Sequence, residues 1–516
     1  MSAPLSELTS WHADWKGLRV AVLGLGQTGF SVADTLTELG AEVLVLTERA
    51  DEEYERLLPV IGAALHVGAL EPAPAELAGF DPELVIASPG FPPHHAAVRW
   101  CEESGVPLWG DIELAWRLRD KVVGADGSPA EWVFITGTNG KTTTTNLTAA
   151  MLVAGGMRAA PCGNIGIPVL DAVRDPAGFD TLVVELSSHQ LWYLSLSAPE
   201  GQPVPAASVF LNLADDHLQW HGSAQAYRDA KALVYRNTRI ACVYNKADPA
   251  TREMVEDAEV IEGARAIGFD LGVPGPSDLG IVDGILVDRA FLEERRTSAL
   301  EITTIERLAS HGLGAPHIVS NILAAAALAR SQGVAPAAIR DALDEFRLDP
   351  HRIEVVAVHA GITWIDDSKA TNPHAAASSL GAYPGAIWVV GGQLKGVDIG
   401  PLVAHRGPSA RAAIVIGEVR DEVVAAFGRH APGVPVFEVY AGETEDVMRR
   451  VVELAAGVAR EGDVVLLAPA AASFDQFTGY AERGTRFADA VRKHIEQETR
   501  GAADGDHDPD EAPGLG

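Results

Sequence analysis

The chain is poor in cysteine: its 516 residues include only Cys101, Cys162 and Cys242. These three residues are widely spaced and form no Cys-x-x-Cys pair or other pattern typical of a metal site. A sparse, odd number of cysteines is typical of a reducing compartment rather than of a disulfide scaffold. The sequence also lacks an apolar signal core and any apolar run of about 18 residues. We therefore expect a cytoplasmic protein without membrane insertion.

Positive charge is scarce as well, with 40 Lys and Arg against 71 Asp and Glu and a formal net charge of −31. Nonspecific nucleic-acid binding usually requires a basic face, so this balance argues against a nucleic-acid partner. It does not exclude a small phosphorylated substrate, because individual loops can still be positive. Hydrophobic residues make up 47% of the chain, which is enough for several cores. The length suggests three domains of about 150 residues each.

Strand-like and helix-like segments alternate along the chain, which predicts an α/β protein with parallel sheets. A polar stretch at 120–130 and a Leu-Asp-Pro stretch at 348–350 are candidate boundaries. The predicted domains are residues 1–128, 129–348 and 349–497, with an irregular or β-rich insertion at 272–298. The remaining residues, 498–516, are rich in Gly, Asp, Pro and Glu and are predicted to form a disordered acidic tail.

A glycine-rich turn in the middle segment carries the clearest chemical signal. Between a predicted strand at 131–135 and a predicted helix at 143–155, the chain reads Thr-Gly-Thr-Asn-Gly-Lys-Thr-Thr. Such a turn aims backbone N–H groups and a helix N-terminus at a phosphate. Lys141 adds a point charge for the β- and γ-phosphates, and the Thr142 hydroxyl suits Mg²⁺. Ile135 stands where the full Walker pattern has its first glycine, so a turn without a ligand is the alternative.

Two turns in the first segment suit a diphosphate. Residues 24–29 form a G-x-G-x-x-G turn after a predicted strand, and Glu48 follows about 20 residues later, as in dinucleotide-binding folds. The second turn, at residues 88–90, follows another predicted strand. This pattern is compatible with NAD, with another ligand that contains a diphosphate, or with tight turns that bind nothing.

Further reactive side chains follow strands of the middle segment. Glu185 ends a predicted strand, where its carboxylate can reach a Mg²⁺ ion held by Thr142. Asp216 and His217 follow the next predicted strand, and Lys231 lies on a helix beyond them. A single histidine or lysine is more often structural, so these positions gain meaning only together.

The third segment places local positive charge in an acidic chain. Three predicted strands are each followed by a polar loop, at residues 366–373, 391–396 and 468–475. Lys369 and Lys395 lie in two of these loops, and Arg352 precedes them. Positive charge in this setting suggests an anionic substrate or a phosphoryl transition state, although each loop alone is also compatible with an ordinary polar turn.

In their order along the chain, these motifs resemble the Mur ligases, the ATP-dependent amide ligases of peptidoglycan synthesis. The resemblance covers about residues 17–497 and rests on residues 110–113, 136–142, 163–166, 185–188, 216–217, 231, 321, 351–352, 367–372 and 473–484. It implies a Rossmann-like N-terminal domain that binds a UDP substrate and a P-loop-type central ATPase domain with a parallel-rich sheet. The C-terminal domain is then Rossmann-like and binds the amino acid.

Within this family, the motifs are most similar to those of ligases that add D-glutamate to UDP-N-acetylmuramoyl-L-alanine. The resemblance implies that the substrate carboxylate attacks the γ-phosphate of ATP and forms an acyl phosphate. The glutamate amine then displaces phosphate, giving an amide, ADP and phosphate. Phosphoryl transfer mainly needs positioning and charge neutralisation. The implied cofactors are ATP and two Mg²⁺ ions, and the expected state is a monomer.

The resemblance also implies roles for individual residues. The catalytic set is Lys141, Glu185, His217, Lys231 and Lys369. Thr142 and Glu185 resemble ligands of one Mg²⁺ ion, and His217 and Lys231 resemble ligands of the second. In this family the lysine is carbamylated by CO₂, which supplies oxygen ligands that a free ammonium group lacks.

The implied binding contacts fall into three groups. Those to ATP are Gly137, Thr138, Asn139, Gly140, Lys141, Thr142, Thr143, Asn321, Arg352 and Asp367. Those to the UDP-muramoyl substrate are Gln27, Thr28, Ser88, Gly90 and Asn164. Those to the incoming glutamate are Thr371, Lys395, Ser473, Phe474 and Tyr480. A lysine and hydroxyl groups suit the carboxylates of glutamate.

Three positions depart from the usual family pattern. Thr47 stands where an aspartate of the uracil site is common, and Ile318 follows a histidine where asparagine is usual. Gln393 stands where some members have aspartate. These departures leave the uracil and adenine contacts open. None of them touches the phosphate loop, so the chemistry is expected to survive.

Three other interpretations compete with this one. A sister ligase that adds L-glutamate or another amino acid shares the same chemistry. A dehydrogenase-like protein would use the turn at 24–29 but leaves the motifs at 136–143 and 367–372 unexplained. A nonenzymatic nucleotide-binding regulator would need neither Lys231 nor the loop around Ser473.

Overall fold

The structure is a computed structural model that describes residues 4–440 and 444–505. The chain forms two compact units, Met1–Phe346 and Arg347–Gly516. The first unit contains two sheets and the second unit contains one. All three sheets are mostly parallel and are interleaved with helices, which confirms the α/β class. No helix among the described residues is both long enough and apolar enough to span a membrane.

The first sheet is parallel throughout. Its strands are β1 (Arg19–Leu23), β2 (Glu42–Thr47), β3 (Ala64–Val67), β4 (Leu84–Ala87) and β5 (Leu108–Gly110), and its helices are α1 (Gln27–Glu38), α2 (Glu52–Ile61), α3 (Ala75–Phe80), α4 (Ala96–Ser104) and α5 (Asp111–Arg117). The strand order is β3-β2-β1-β4-β5, so it reverses between β1 and β4. The loops after these two strands therefore border the crevice where such sheets bind ligands.

The second sheet has nine strands. They are β6 (Glu131–Thr136), β7 (Ala159–Gly163), β8 (Thr181–Glu185), β9 (Ala207–Phe210), β10 (Ala241–Asn245), β11 (Arg265–Phe269), β12 (Asp278–Val282), β13 (Ile285–Asp288) and β14 (Leu300–Thr304). The accompanying helices are α6 (Lys141–Ala154), α7 (Val169–Arg174), α8 (Ser188–Ser195), α9 (Leu218–His221), α10 (Ala224–Ala232), α11 (Pro249–Glu256), α12 (Ile305–Ser310), α13 (Pro316–Ser331) and α14 (Pro336–Glu345).

Strand order in this sheet determines which loops meet. The order is β14-β13-β12-β11-β10-β9-β6-β8-β7, so β8 and β9 flank β6. All three run parallel, with Ile135 beside Glu185 and Thr136 beside Phe210. The loops that leave β6, β8 and β9 therefore emerge side by side. The irregular segment predicted at 272–298 contributes β12 and β13, which form an antiparallel hairpin that extends the sheet.

The second unit has one sheet of six strands. They are β15 (Glu354–His359), β16 (Ile362–Asp366), β17 (Ile387–Gly391), β18 (Ala412–Ile416), β19 (Val436–Glu438) and β20 (Val464–Leu467). Its helices are α15 (Pro373–Ala382), α16 (Gly400–Arg406), α17 (Arg420–His430), α18 (Thr444–Val458) and α19 (Tyr480–Gly505). The order is β15-β16-β20-β17-β18-β19, and only the edge strand β15 is antiparallel to its neighbour.

The predicted start of the disordered acidic tail is wrong, because helix α19 extends past it. Disorder was predicted from residue 498, but the helix continues to Gly505. Residues 496–503 read Glu-Gln-Glu-Thr-Arg-Gly-Ala-Ala, and the Glu, Gln, Arg and Ala residues among them favour a helix. The predicted disorder of residues 506–516 lies outside the described residues.

A buried ion pair fastens helix α5 within the first unit. Arg117 Nη2 lies 2.8 Å from Glu113 Oε1, and the two side chains are 1% and 0% exposed. Arg117 also donates to the carbonyl oxygens of Leu5 and Leu8, at 3.3 and 3.1 Å. Ser197 Oγ donates to Glu113 Oε2 over 2.7 Å. Burial raises the pKa of Glu113, while its bonds from Ser197 and Arg117 oppose that rise.

Replacing Glu113 by alanine should destabilise the first unit strongly. The change leaves the Arg117 guanidinium buried without its counter-charge, which typically costs about 3–5 kcal/mol. Denaturant unfolding of the purified chain measures this loss. Arg56→Ala is the matched control, because the Arg56–Glu52 pair is exposed and such pairs contribute at most about 1 kcal/mol. Equal losses in the two variants would contradict the structural role of Glu113.

Candidate active site

The loop between β6 and α6 is held in place by the loop that follows β9. Thr138 N donates to Asn212 O at 2.9 Å, and Asn139 N donates to Asn212 Oδ1 at 2.9 Å. The Asn212 amide donates in return to Asn139 O at 3.0 Å. Lys141 Nζ turns back over the loop and donates to Gly137 O and Thr138 O, at 2.8 and 3.0 Å. These hydrogen bonds hold the loop in one conformation, with the Lys141 ammonium group directly beside it.

Gly140 shows why this loop needs glycine before its lysine. Its φ of +83° is a conformation that L side chains rarely adopt. A Cβ atom at this position would lie 2.5 Å from Asn321 Oδ1. Asn321 on α13 therefore lies against the loop. Thr143 Oγ1 is buried and has no hydrogen-bond partner among residues 4–440 and 444–505.

Glu185 at the end of β8 places a buried carboxylate beside the same loop. Its side chain is 2% exposed, and Oε1 accepts a hydrogen bond of 3.0 Å from Asn164 Nδ2. Within the described parts of the chain, Oε2 has no hydrogen-bond partner. A buried carboxylate oxygen without a donor suits a bound cation. The sequence predicted that Asn164 contacts the muramoyl substrate, and in the structure its amide orients Glu185.

Lys231 on α10 also contacts the phosphate loop. The residue is 1% exposed, and Nζ donates to Gly137 O at 2.8 Å. Burial lowers the Lys231 pKa well below its usual value, and the charge of Lys141 lowers it further, against the opposing effects of Asp216 and Glu185. A lower pKa increases the share of the neutral amine, which is the nucleophilic form of lysine.

His217 belongs to a group of imidazoles that the sequence analysis did not recognise. Its backbone has a φ of +52°, and its N–H donates to Asp216 Oδ1 at 2.9 Å. The His189 ring lies edge-on to the His217 ring, with centroids 4.7 Å apart, and His221 lies beyond it. Burial lowers the pKa of His189 to about 3 and that of His221 to about 4, with nearby positive charges adding to both shifts. Both rings are therefore neutral at physiological pH.

The sequence spacing of His189 and His221 could have identified them as candidates. His189 comes four residues after Glu185 and His221 four residues after His217, each in a segment that follows a predicted strand. His221 Nε2 is 2.9 Å from Ser188 Oγ, so the two loops are joined. Grouping polar residues by strand end would have brought these histidines into the candidate site.

The loops that follow β1 and β4 form another polar region of the first unit, separate from the phosphate loop. Ser88 Oγ is buried and has no hydrogen-bond partner in the described chain. A Cβ atom at Gly29 would lie 2.0 Å from Gly24 O, so α1 and the loop pack backbone to backbone. Gln27 Nε2 donates to Gly166 O at 3.1 Å and so joins this region to the loop after β7. Of the other two predicted contacts here, Thr28 is half-buried and Gly90 is exposed.

The structure shows the surroundings of each of the three residues that depart from the family pattern. Thr47 is buried, and its hydroxyl donates to Arg49 O at 2.7 Å, so it stabilises its own turn. Ile318 is 3% exposed and packs in the interior. Gln393 Nε2 donates to Glu418 Oε2 at 3.2 Å.

In the second unit, the predicted residues gather at the carboxyl ends of the parallel strands. Lys369 Nζ donates to the Tyr480 hydroxyl at 2.7 Å. Lys395 Nζ is 6.0 Å from the centroid of the Phe474 ring, which is 65% exposed. Ser473 is buried at the start of the same loop as Phe474. Thr371, which is half-buried, donates its N–H to the carbonyl of Lys369.

Asp367 and Arg352 lie close enough to interact electrostatically. Burial raises the pKa of Asp367 to about 7, against the opposing effects of a hydrogen bond from Ser379, the backbone N–H of Ile353 and the charge of Arg352. Arg352 Nε is buried and makes no hydrogen bond within the described residues. This Nε lies 3.9 Å from Asp349 Oδ2, so the guanidinium lies between the carboxyl groups of Asp349 and Asp367.

Comparison with known proteins covers most of the chain. Residues 18–110 match the Mur ligase MurD-like N-terminal domain, 135–329 the Mur ligase middle domain, and 351–471 the Mur ligase glutamate ligase domain. A protein of Leifsonia xyli subsp. xyli named UDP-N-acetylmuramoylalanine–D-glutamate ligase is 62% identical over 494 residues, 95% of each chain. The chain belongs to the Mur ligase family.

Other Mur ligases support this placement. Ligases of the same name from Streptomyces coelicolor and Mycobacterium bovis are 46% and 43% identical, over 93% of this chain and 99% and 96% of theirs. Among solved structures, the UDP-N-acetylmuramate-alanine ligase of Thermotoga maritima matches with a TM-score of 0.55 and 18% identity. That match covers 92% of this chain and all of the other, and it shows a shared Mur ligase fold.

Proposed function

We propose that this Mur ligase uses ATP to join D-glutamate to UDP-N-acetylmuramoyl-L-alanine in peptidoglycan precursor synthesis. The observation that carries the proposal is the 62% identity, over 95% of both chains, to a ligase named for this reaction. The substrate carboxylate attacks the γ-phosphate of ATP, and the resulting acyl phosphate is attacked by the amine of D-glutamate. The products are the amide, ADP and phosphate.

The phosphate loop and Lys141 hold the ATP phosphates. Backbone N–H groups at the start of α6 face a phosphate, and the Lys141 ammonium neutralises charge that develops on the γ-phosphoryl group during transfer. Asn321 and Thr143 lie at the same loop. The loops after β1 and β4 hold the UDP part of the other substrate, where Ser88 Oγ has no hydrogen-bond partner among the described residues.

We further propose that two Mg²⁺ ions bind beside this loop. Glu185 and Thr142 would hold one ion, and His217 with a carbamylated Lys231 would hold the other. Glu185 Oε2, which has no hydrogen-bond partner among the described residues, supports the first assignment. For the second, the neutral Lys231 amine adds to CO₂, forming an N–C bond and releasing one proton, so that the side chain gains two oxygen ligands. The metal ions, when bound, neutralise the phosphate oxygens.

The second unit supplies the groups for the incoming amino acid. Lys395, Thr371 and Ser473 offer an ammonium group and two hydroxyl groups to the carboxylates of glutamate, and Phe474 and Tyr480 border them. Arg352, Asp367 and Lys369 serve the nucleotide. We expect the protein to act as a monomer in the cytoplasm. Light scattering of the purified chain measures its oligomeric state.

Asn164→Ala should weaken the binding of Mg²⁺ without removing a metal ligand. Asn164 holds Glu185 Oε1 at 3.0 Å, and loss of such an orienting partner typically costs about 10–100-fold in metal affinity or activity. Initial rates measured as a function of Mg²⁺ concentration give the shift. Gln202→Ala is the control, because its amide donates to Ser197 O away from the loop. Unchanged Mg²⁺ dependence in Asn164→Ala would contradict the orienting role.

The reaction is tested by ADP release from ATP in the presence of UDP-N-acetylmuramoyl-L-alanine. Release should require D-glutamate, and L-glutamate should give a rate close to background. Mass spectrometry of the product should show the substrate extended by one glutamate residue. Equal rates with the two enantiomers, or release that ignores glutamate, would rule out the proposed specificity.

A further inference from the structure

The turn that carries Arg352 has a strained backbone. His351 and Ile353, on either side of Arg352, have φ values of +66° and +48°. Neither residue is glycine, and the β-branched side chain of Ile353 makes this conformation especially unfavourable. Such a backbone persists only where its surroundings hold it from several sides. The turn must therefore be fixed by specific contacts.

A single buried carboxylate supplies the central contact. Asp366 is 0% exposed, and its Oδ2 lies 2.7 Å from His351 Nδ1. Its Oδ1 accepts the backbone N–H of Ser368 at 2.9 Å. Asp366 thus ties the turn around Arg352 to the turn at 367–369, which carries Asp367 and Lys369.

Two further bonds join the same turns. Ile353 N donates to Asp367 Oδ1 at 3.3 Å, and Lys369 N donates to His351 O at 3.2 Å. The two turns are therefore cross-linked by side chains and by backbone. Through them, the positions of Arg352 and Lys369 depend on the same group of contacts.

The start of α19 covers the His351–Asp366 pair. A Cβ atom at Gly484 would lie 2.2 Å from His351 Nδ1 and 2.6 Å from Asp366 Oδ2, so only glycine allows this approach. The neighbouring Arg483 is 1% exposed and donates to Ser368 O at 2.8 Å and to Ser368 Oγ at 2.9 Å. Because α19 excludes water here, the hydrogen bond between His351 and Asp366 is stronger than an exposed one would be.

We propose that Asp366 is a positioning residue for the nucleotide. Through His351 it sets the Arg352 guanidinium, and through Ser368 it sets Asp367 and Lys369. This inference rests on the proposed function, which gives those residues their roles at ATP. Arg352 Nε is buried, lies 3.9 Å from Asp349 Oδ2 and has no hydrogen-bond partner in the described chain, so the arrangement leaves this donor available.

Asp366→Ala is expected to raise the KM for ATP about 10-fold to 100-fold and to lower kcat, because misplacing a contact group by about 1 Å has effects of that size. The KM for UDP-N-acetylmuramoyl-L-alanine should stay unchanged. Asp366→Asn, which keeps the size and the acceptor for Ser368, should recover part of the loss. His359→Ala is the matched control, since its ring pairs with Glu498 at 3.1 Å on an exposed surface of the same unit.

An unchanged KM for ATP in Asp366→Ala would overturn the proposal, as would equal changes in the KM values of all substrates. If that variant does not fold, His351→Gln tests the same pair. It should also raise the KM for ATP and leave the KM for UDP-N-acetylmuramoyl-L-alanine unchanged. Calorimetric binding of ADP to each folded variant needs no ligase reaction. If the wild-type protein binds ADP but forms no ADP from ATP in the presence of D-glutamate, only the proposed function is contradicted. Weaker ADP binding by the variants would still support the role of Asp366.

Discussion

Replacing Lys231 by alanine is expected to reduce kcat by about 1000-fold, with little change in stability. A metal ion held at the transferring phosphoryl group contributes several kcal/mol to the transition state, and alanine offers it no ligand. The side chain is buried against the phosphate loop, and burial already holds its pKa well below the usual range. Alanine therefore removes a costly buried amine and, under the proposed function, the carbamate that would hold a metal ion.

Rescue and labelling experiments distinguish a chemical role of the Lys231 side chain from a role in packing alone. Small carboxylates such as acetate should restore part of the activity of Lys231→Ala, because they replace the oxygen atoms of a carbamate. In wild-type protein, ¹³C-labelled bicarbonate should give a carbamate signal in NMR spectra, and the variant should lack it. Lys246→Ala is the control, since Lys246 pairs with Asp278 at 2.6 Å and is outside the loop. Normal turnover by Lys231→Ala would exclude the carbamate.

Glu185→Gln is the second change with a large expected effect. It keeps the shape of the side chain but removes the negative charge next to the phosphate loop. We expect kcat to fall about 100-fold to 1000-fold and the Mg²⁺ concentration needed for half-maximal rate to rise. Initial rates over a range of Mg²⁺ concentrations measure both quantities.

Stability gives an independent measurement for the same variant. Without Mg²⁺, Glu185→Gln should be as stable as wild type or more stable, because the buried Oε2 has no hydrogen-bond partner in the described residues. Added Mg²⁺ and nucleotide should raise the Tm of wild type more than that of the variant. Glu131→Gln is the control, because Glu131 begins β6 and pairs with Arg239 on the surface. An equal response of Glu185→Gln and wild type to Mg²⁺ would argue that Glu185 is not a ligand.

Much of the fold was predictable because its signals are local. Apolar runs bounded by turn residues predicted that one strand ends at Glu185 and another just before residue 468, where β8 and β20 end, and the alternation of strands and helices predicted parallel sheets. The start of α6 was predicted two residues late, since its first turn is polar and carries no apolar periodicity. The helical stretch beyond residue 497 was missed because composition was weighted above helix propensity.

The sequence by itself determined the identity of the reactive groups: a phosphate loop with Lys141, a strand-end Glu185, a His217 and a Lys231. Each is specified by a short motif whose local conformation follows from its residues. Only the tertiary structure decided which of them meet. Lys231 contacts Gly137 across 94 residues, and Asn212 holds Asn139 across 73, because β8 and β9 both flank β6. The pairing of His351 with Asp366 likewise depends on strand packing and on a glycine of α19, which no local motif encodes.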